Sequence, residues 1–240
     1  MENSFKEVEW SAEKISKFWD FIGSNTSSKD HYFSKMMGDG IINKARKSVP
    51  LKGKFLDMGC GPGFFTEHLL NAGIDFIAMD SSPDSITKLQ ERYPSVDSKV
   101  GSLDSIPTDD DCFDGIFLIE VMEHLGNDYL QVVLKELKRV IKKNGYLIAT
   151  VPFAEDLRAN HVVCPECDHH FHRMQHLQSY TEQKMSTLIS NAGFEPVLVK
   201  ALNFKDYKNK SINKFIRLAK KLPLGLDQST PHLLTIARHP

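Results

Sequence analysis

The stretch from Phe55 to Phe65 is the feature that most constrains the fold of this chain. A short apolar strand, 54–58, runs into three glycines at every second position, Gly59, Gly61 and Gly63, and a helix, 63–72, is predicted to follow. Glycines let the backbone turn sharply and let a ligand approach main-chain N–H groups with no Cβ in the way. The pattern therefore predicts a strand–turn–helix unit whose turn binds a ligand.

Two acidic residues accompany the glycines and indicate the kind of ligand. Asp57 precedes the first glycine by two residues, and Asp80 ends a second apolar strand, 75–80. An acid about 20 residues past a glycine loop suits the hydroxyls of a ribose. The dinucleotide pattern G-x-G-x-x-G is not met, because the third glycine comes one residue early and Phe64 follows it. A carboxylate at position 57 suits an ammonium group, so a nucleoside amino acid is favoured over NAD.

Beyond this unit the chain alternates strands and helices, which predicts an α/β fold with a parallel sheet and right-handed crossovers. The remaining predicted strands are 98–101, 112–119, 146–151, 195–202 and 232–238. Helices are predicted from Pro83 to about 93, around 130–141 with Asn144-Gly145 as the stop, and over 181–192, after a helical N-terminal part at 10–48.

Composition limits the class of protein. The 240 residues suit one α/β domain, and a hydrophobic content of 41% is enough for a sizeable core. A net charge of −1 gives no general attraction to nucleic acid, and neither a run of 18 apolar residues nor a signal-peptide core is present. We therefore expect no nucleic-acid partner and no membrane span. Four cysteines, two of them in a C-x-x-C, are typical of a reduced cytoplasmic protein.

The glycine loop and its acids resemble motif I of the class I S-adenosylmethionine-dependent methyltransferases, and the resemblance covers residues 54–151 best. It implies a doubly wound, seven-stranded Rossmann-like sheet with helices on both faces, an antiparallel last strand pair and an N-terminal helical cap, 1–50. The whole chain, 1–240, is then one methyltransferase domain. Two inserts depart from a minimal version, a Cys/His-rich one at 153–180 and a basic one at 203–231.

The resemblance also implies which residues bind S-adenosylmethionine. The loop would hold the methionine part, Asp80 the ribose hydroxyls, and the segments after the second and third strands the adenine. The implied cofactor residues are Asp57, Gly59, Cys60, Gly61, Gly63, Phe64, Asp80, Ser81, Ser102, Leu103, Asp104 and Glu120.

Glu120, Glu123 and His124 follow the predicted strand 112–119 with a spacing that places them on one side of a helical turn. Two carboxylates and an imidazole suit Mg²⁺, Mn²⁺ or Zn²⁺. This E-x-x-E-H arrangement is similar to that of metal-dependent small-RNA 2′-O-methyltransferases and ubiquinone-pathway O-methyltransferases, which add a later histidine, here His176. The alternative is that His124 acts as the general base on a substrate hydroxyl.

A second cluster, Cys164, Cys167, His172 and His176, has the spacing C-x2-C-x4-H-x3-H. Thiolates and imidazoles suit tetrahedral Zn²⁺, which would have a structural role here. The cysteine half is the firmer half, because other histidines compete for the remaining positions and an isolated C-x-x-C is the alternative. His176 cannot easily serve both this cluster and Glu120, Glu123 and His124.

The predicted reaction is transfer of a methyl group from S-adenosylmethionine to a hydroxyl of a small molecule or of a sugar or glycan precursor. Lysines and one arginine in the insert 203–231 would attract an anionic acceptor, or they simply form the solvated face of an amphipathic helix. N-methylation of a small amine and a non-catalytic cofactor-binding module are the alternatives.

Overall fold

The computed structural model of the protein describes residues 5–24, 32–207 and 231–240. Its elements in chain order are β1 (Lys6–Glu7), α1 (Ala12–Ser24), α2 (Phe33–Ala45), β2 (Lys54–Met58), α3 (Thr66–Asn71), β3 (Asp75–Asp80), α4 (Pro83–Arg92), β4 (Ser98–Val100), β5 (Phe113–Ile119), α5 (Asn127–Val140), β6 (Ile141–Pro152), β7 (His161–Val163), β8 (His169–His172), α6 (Glu182–Asn191), β9 (Glu195–Leu202) and β10 (His232–Arg238).

Seven strands form the central sheet in the order β4-β3-β2-β5-β6-β10-β9. The first five are parallel, and β10 lies antiparallel between β6 and β9. The predicted α/β class and the seven-stranded sheet with an antiparallel last pair are thus confirmed. The strand order reverses between β2 and β5, and in such sheets ligands bind at the carboxyl ends of the strands beside the reversal.

Helices cover both faces of the sheet, as predicted for a doubly wound fold. The strand β5 shows why, because its alternate side chains enter two different cores: Ile116 and Leu118 pack with α5 and α6, whereas Phe117 and Ile119 pack with α2, α3 and α4. The apolar stripe of α5 consists of Leu130, Val133, Leu134, Leu137 and Val140, all buried. Each such side chain contributes about 1.5–3 kcal/mol on burial.

Two predicted boundaries are wrong. Asn144 and Gly145 do not stop α5, which ends at Val140, and β6 already begins at Ile141. The pairing with β5 jumps from Ile141 to Tyr146, so the residues between them form a bulge, with Asn144 at φ +64°. Lys142 Nζ bonds Asp114 Oδ2 at 2.8 Å and anchors this bulge to β5.

The helix after the glycine loop begins at Thr66 and not at Gly63. Gly63 has a φ of +86°, which is incompatible with a right-handed helix, so the turn extends three residues further than predicted. The resulting helix α3 is short and lies over the sheet through Leu69.

The insert 153–180 forms a small second sheet that the sequence did not predict. The strands β7 and β8 pair as an antiparallel hairpin, and β1 from the N-terminal part adds in parallel beside β8. The helices α1 and α2 agree with the predicted helical part 10–48, and β1 lies before that part, within the predicted N-terminal cap 1–50.

Most of the basic insert 203–231 lies outside the described residues, as do residues 25–31. Within the parts that the structure describes, no helix is long and apolar enough to cross a membrane.

Candidate functional site

Backbone hydrogen bonds to β3 hold the start of the glycine loop in place. The N–H groups of Gly59 and Cys60 donate to the carbonyl of Met79 at 2.8 and 3.1 Å. A Cβ on Gly59, where φ is +76°, would lie 2.7 Å from Val121 Cγ2, so no side chain fits. A Cβ on Gly61, where φ is +52°, would meet no atom of the described residues within 4 Å. The loop therefore presents bare backbone to open space, which suits close approach of a ligand.

The two acids of the loop lie in the interior. Asp57 is 1% exposed and accepts a hydrogen bond from Thr66 Oγ1 at 3.4 Å. Burial raises the pKa of Asp57 to about 7, and the charge of Asp80 adds to this rise. Asp80 accepts from the N–H of Gly61 at 2.8 Å and from the N–H of Ser82 at 2.9 Å, and burial raises the pKa of Asp80 as well. Thr66, which the sequence did not single out, thus brings the hydroxyl of the first residue of α3 to this site.

The other implied cofactor residues surround the loop with different exposure. Cys60 and Phe64 are buried, and Phe64 packs against Tyr32 with ring centroids 4.6 Å apart. Ser81 is exposed at the end of β3. Ser102 Oγ donates to Asp104 and lies 3.4 Å from the Tyr129 hydroxyl. The segment 102–104 thus contacts the start of α5 through Tyr129, a residue that no pattern in the sequence indicates.

Glu120 contacts His232 and shares no group of metal-ligand atoms with the two residues with which the sequence grouped it. Its φ of +56° is rare for a residue with a side chain, and its N–H donates to the carbonyl of Thr150 at 2.9 Å. Its Oε2 lies 3.3 Å from Nε2 of His232, at the start of β10, and His232 in turn stacks on Phe33. The predicted convergence of all three E-x-x-E-H side chains on one point is therefore corrected: Glu120 belongs to neither group of metal-ligand atoms found among the described residues.

Glu123, His124 and His176 form what we call the carboxylate–histidine cluster, in which one ligand atom of each lies within 4.8 Å of the others. Glu123 and His124 lie on the short 3₁₀ helix Met122–His124 that follows β5. Glu123 is 1% exposed, and neither carboxylate oxygen has a hydrogen-bond partner among the residues that the structure describes. Burial, followed by the charge of Glu120, raises the pKa of Glu123 well above its ordinary value.

The backbone carbonyl of Gln175, in the insert 153–180, determines the tautomer of His124. His124 Nδ1 lies 3.4 Å from the carbonyl of Gln175, and this carbonyl can only accept, so the proton is on Nδ1. Nε2 then carries a lone pair and lies 3.8 Å from Glu123 Oε1. Burial, followed by the charge of His176, lowers the pKa of His124 to about 3. The imidazole is therefore neutral at physiological pH.

Glu155 is the main residue that the sequence missed. Its carboxylate lies 2.5 Å from His176 Nδ1 and 3.3 Å from His172 Nε2, and these three residues form a second group of ligand atoms. His172 Nδ1 accepts from the N–H groups of Met174 and His176, so its proton is on Nε2, facing Glu155. Glu155 follows the last residue of β6 by three positions. A carboxylate just past the end of a strand is the sequence pattern that could have identified it as a site residue.

The predicted zinc ligands Cys164, Cys167, His172 and His176 are not brought together. Both histidines are drawn to Glu155, and neither group of metal-ligand atoms among the described residues includes a cysteine. His172 also has no lone pair to offer, because Nδ1 accepts two backbone N–H groups and Nε2 carries the proton. The four-residue set is therefore corrected. The two cysteines lie instead at the turn between β7 and β8.

Residues of α1 and of the insert 153–180 pack against His124 of the carboxylate–histidine cluster. Trp19 packs edge-on against His124 with ring centroids 4.7 Å apart, and its Nε1 donates to Gln175 Oε1 at 3.0 Å. Gln175, fully buried at φ +57°, donates from Nε2 to the carbonyl of His124. The N–H groups of Leu177 and Gln178 donate to the carbonyl of Glu123. The apolar face of α1 was predicted, but its contact with His124 has no signal in the sequence.

Sequence comparison identifies the central part of the chain. Residues 56–149 match the family described as "Methyltransferase domain". A ubiquinone biosynthesis O-methyltransferase from Azorhizobium caulinodans is 31% identical over 111 residues, or 44% of this chain and 43% of that protein. The protein of the same name from Pelagibacter ubique is 31% identical over 159 residues, or 61% of this chain and 64% of that protein. The chain thus spans less than two thirds of the length of these relatives.

Solved structures share the fold at low sequence identity. A chain from a complex between the Haloferax volcanii Trm112 methyltransferase activator and a methyltransferase has a TM-score of 0.67 at 16% identity, with 94% of this chain and 97% of that chain covered. The Burkholderia thailandensis 1,6-didemethyltoxoflavin-N1-methyltransferase, with 1,6-didemethyltoxoflavin and S-adenosylhomocysteine bound, has a TM-score of 0.65 at 17% identity, with 98% of this chain and 93% of that chain covered. The matched domain and the curated relatives thus support a class I S-adenosylmethionine-dependent methyltransferase, and the solved structures show that the fold is shared.

Proposed function

We propose that the chain transfers a methyl group from S-adenosylmethionine to a hydroxyl oxygen of a small molecule, with a divalent cation held by Glu123, His124 and His176. The observation that carries this proposal is the carboxylate–histidine cluster, in which both oxygens of the buried Glu123 lack a hydrogen-bond partner within the described part of the chain. A buried carboxylate without a partner is costly, and a cation among these ligands removes that cost. Oxygen and imidazole ligands suit Mg²⁺, Mn²⁺ or Zn²⁺.

The hydrogen bonds of the two histidines support metal binding. His124 donates from Nδ1 to the carbonyl of Gln175, and His176 bonds Glu155 through Nδ1, so each ring keeps Nε2 as the nitrogen with a lone pair. Metal-ligating histidines almost always donate their other N–H to a carbonyl or a carboxylate. Glu155 and Gln175 are therefore the proposed partners that orient the two imidazoles.

The alternative of His124 as general base is not favoured by its surroundings. An efficient general base has a pKa near the operating pH, whereas burial lowers the pKa of His124 to about 3. A neutral imidazole is the form that binds a metal, so the same surroundings that weaken the base suit the ligand. We therefore propose the ligand role for His124.

The glycine loop fits S-adenosylmethionine, the methyl donor that the matched methyltransferase domain implies. Open space beside Gly61 leaves room for the methionine part, and the buried Asp57 offers a carboxylate to its ammonium group. Asp80, which already orders the loop through the N–H of Gly61, would bind the ribose hydroxyls. The segment Ser102–Asp104 and Ser81 are the proposed adenine contacts, and Glu120 the proposed contact at the methionine end.

A divalent cation in this site would lower the pKa of the acceptor hydroxyl and fix its oxygen. The chain itself would position the two reactants, which is most of the catalysis in an in-line methyl transfer. The acceptor hydroxyl would lose its proton to solvent as it binds, before water is excluded, and its oxygen then forms the new bond to the methyl carbon while the carbon–sulfur bond breaks. Trp19 and the segment around Gln175 would exclude water from the reacting atoms.

The names of the two curated relatives support an oxygen acceptor, since both are O-methyltransferases. We propose a small-molecule hydroxyl, with sugar and glycan-precursor hydroxyls included in the class. The basic residues that would attract an anionic acceptor lie mostly in 208–230, outside the described part of the chain.

Chelation tests the proposal. Turnover of S-adenosylmethionine should be measured across a panel of phenols, sugars and small amines, with and without a chelator. We expect the chelator to abolish turnover of a hydroxyl acceptor, while calorimetry finds the affinity for S-adenosylmethionine unchanged. Added Mg²⁺, Mn²⁺ or Zn²⁺ should restore turnover, and the variant Glu123→Gln should not respond to it.

The exposed Glu166→Gln is the matched control and should behave as wild type. Turnover that is insensitive to chelation would remove the metal from the proposal, and turnover of amines alone would remove the hydroxyl. Absence of S-adenosylmethionine binding in the wild-type protein would overturn the activity altogether.

A further inference from the structure

Cys164 and Cys167, which the proposed reaction does not use, lie in a tight turn that joins β7 to β8. The N–H of Cys164 donates to the carbonyl of His169 at 2.8 Å, and the N–H of Asp168 donates back to the carbonyl of Cys164 at 3.0 Å. Asp168 closes the turn with a φ of +57°. Pro165 fixes its own φ near the value that such turns require. The two thiols are thus presented by a rigid backbone at the tip of a hairpin.

The turn is arranged to receive a metal at its sulfur atoms. Cys164 and Cys167 both lie in this turn, and the two backbone hydrogen bonds at Cys164 fix the path of the chain between the two thiols. Both cysteines are free thiols, and Cys167 is exposed. Two preorganised sulfur ligands with Cys-x-x-Cys spacing suit Zn²⁺, which in structural sites prefers four ligands.

The same chain does not offer further sulfur ligands. Of its four cysteines, Cys60 is buried in the glycine loop and Cys112 accepts a hydrogen bond from Thr108 beside the central sheet. Among the residues that the structure describes, no histidine or carboxylate lies with Cys164 and Cys167 in a group of three ligand atoms. A complete thiolate site therefore needs a second chain that carries the same turn.

The exposed edge strand β7, beside the turn, offers a surface for association with a second chain. In the three-stranded order β1-β8-β7, the strand β7 is an edge strand, so among the described strands its outer backbone groups have no partner within this sheet. Val162 and Val163, directly before Cys164, are 41% and 46% exposed. An exposed edge strand with apolar side chains is a template for association with another chain.

We propose that Cys164 and Cys167 form one half of a Zn²⁺ site and that the matching pair of a second copy of this chain completes it. The ion then bridges two hairpin tips, with the β7 edges of the two copies beside it. This site is separate from the carboxylate–histidine cluster, and the proposal does not depend on the methyl acceptor. It also differs from the single-chain zinc site that the sequence predicts, because the histidines of that site are engaged with Glu155.

Zinc content and molecular mass test the proposal together. The zinc content of the wild-type protein should exceed that of the double variant Cys164→Ser/Cys167→Ser by about 0.5 ion per chain, as expected for four thiolates per ion. Taking the difference removes any zinc held at the carboxylate–histidine cluster. Light scattering should find a dimer for the wild-type protein, and a monomer for the double variant and for the chelated wild-type protein. Cys112→Ser is the control and should remain a dimer with unchanged zinc.

Substitution with Co²⁺ gives a test that does not depend on the folding of the double variant. Wild-type protein should show strong sulfur-to-cobalt charge-transfer absorption that saturates at about one Co²⁺ per two chains. One ion per monomeric chain would overturn the shared site. Equal zinc in the wild-type protein and the double variant would overturn the metal site, and so would loss of both free thiols to a disulfide in freshly purified protein.

Discussion

Replacing Asp57 by asparagine separates the energetic cost of this buried carboxyl from its role in binding. Burial raises the pKa of Asp57 to about 7, from an ordinary value of 3.8. At about 1.4 kcal/mol for each pKa unit, ionising Asp57 in the free protein costs on the order of 4 kcal/mol. The folded state holds this proton more tightly than the unfolded state does. The contribution of Asp57 to stability therefore falls as pH rises from about 4 to about 7.

The amide of the Asp57→Asn variant cannot ionise, so this variant should lack that part of the pH dependence. Urea unfolding of the free protein should find the variant close to wild type at pH 4 and more stable by a few kcal/mol at pH 8. Comparing wild type with variant at each pH removes the slope that Glu123 contributes, whereas the charge of Asp80, which raises the pKa of Asp57, is part of the effect measured. Asp75→Asn, an exposed acid at the start of β3, is the matched control and should leave the pH dependence unchanged.

Cofactor binding should reverse the advantage of the variant. A bound ammonium group favours the ionised form of Asp57, so binding at pH 7, close to the pKa of about 7, should release about half a proton per chain from the wild-type protein but none from Asp57→Asn. Calorimetry in two buffers of different ionisation enthalpy measures this proton, and the variant should bind at least about tenfold more weakly, near 1.4 kcal/mol. An unchanged affinity together with an unchanged pH dependence of stability would refute the reasoning.

Three further variants test other contacts. Asp80→Asn should weaken S-adenosylmethionine binding at least about tenfold in the same calorimetric assay, because a charged acceptor is lost at the loop; unchanged affinity would contradict the ribose role. Trp19→Phe leaves Oε1 of the buried Gln175 without its hydrogen-bond donor and should lower the free energy of unfolding by about 1–3 kcal/mol. The control Trp10→Phe keeps an aromatic ring against Phe18 and Phe171 and should lower the free energy of unfolding by less. Leu134→Ala in the stripe of α5 should cost about 2–5 kcal/mol in urea unfolding, and a cost below that of the partly exposed Leu188→Ala would argue against the packing described.

The fold was predictable from the sequence where local patterns and burial agree. The strands β2, β3, β9 and β10 have the bounds that were predicted, because each is a run of apolar residues with clear ends. The boundary between α5 and β6 was wrong, because Asn144-Gly145 is a local stop signal that a bulge accommodates within the sheet. Tertiary contacts of Lys142 with Asp114 decide that boundary, and a local pattern does not contain them.

The site was predictable only where its residues are close in the sequence. Glu123 and His124 could be singled out because they follow a strand end, and His176 because histidine was expected after the next strand. Glu155 was missed, and the spacing of His172 and His176 suggested the wrong partners, because contacts between β6 and the insert decide which side chains meet. The role of Glu120 at the cofactor stays a prediction.

The position of β10 has a consequence for how the protein folds during synthesis. Among the described strands of the central sheet β9 has a single neighbour, β10, and 30 positions separate Leu202 from His232. Ribosomal synthesis therefore releases β9 well before the strand that pairs with it, and β6 likewise waits for β10 on one side. The first residue of the same strand, His232, bonds Glu120. Pairing of β10 with β6 and β9 therefore occurs late, together with the contact between His232 and Glu120. Until β10 emerges, the unpaired edges of β6 and β9 expose a nascent chain to aggregation.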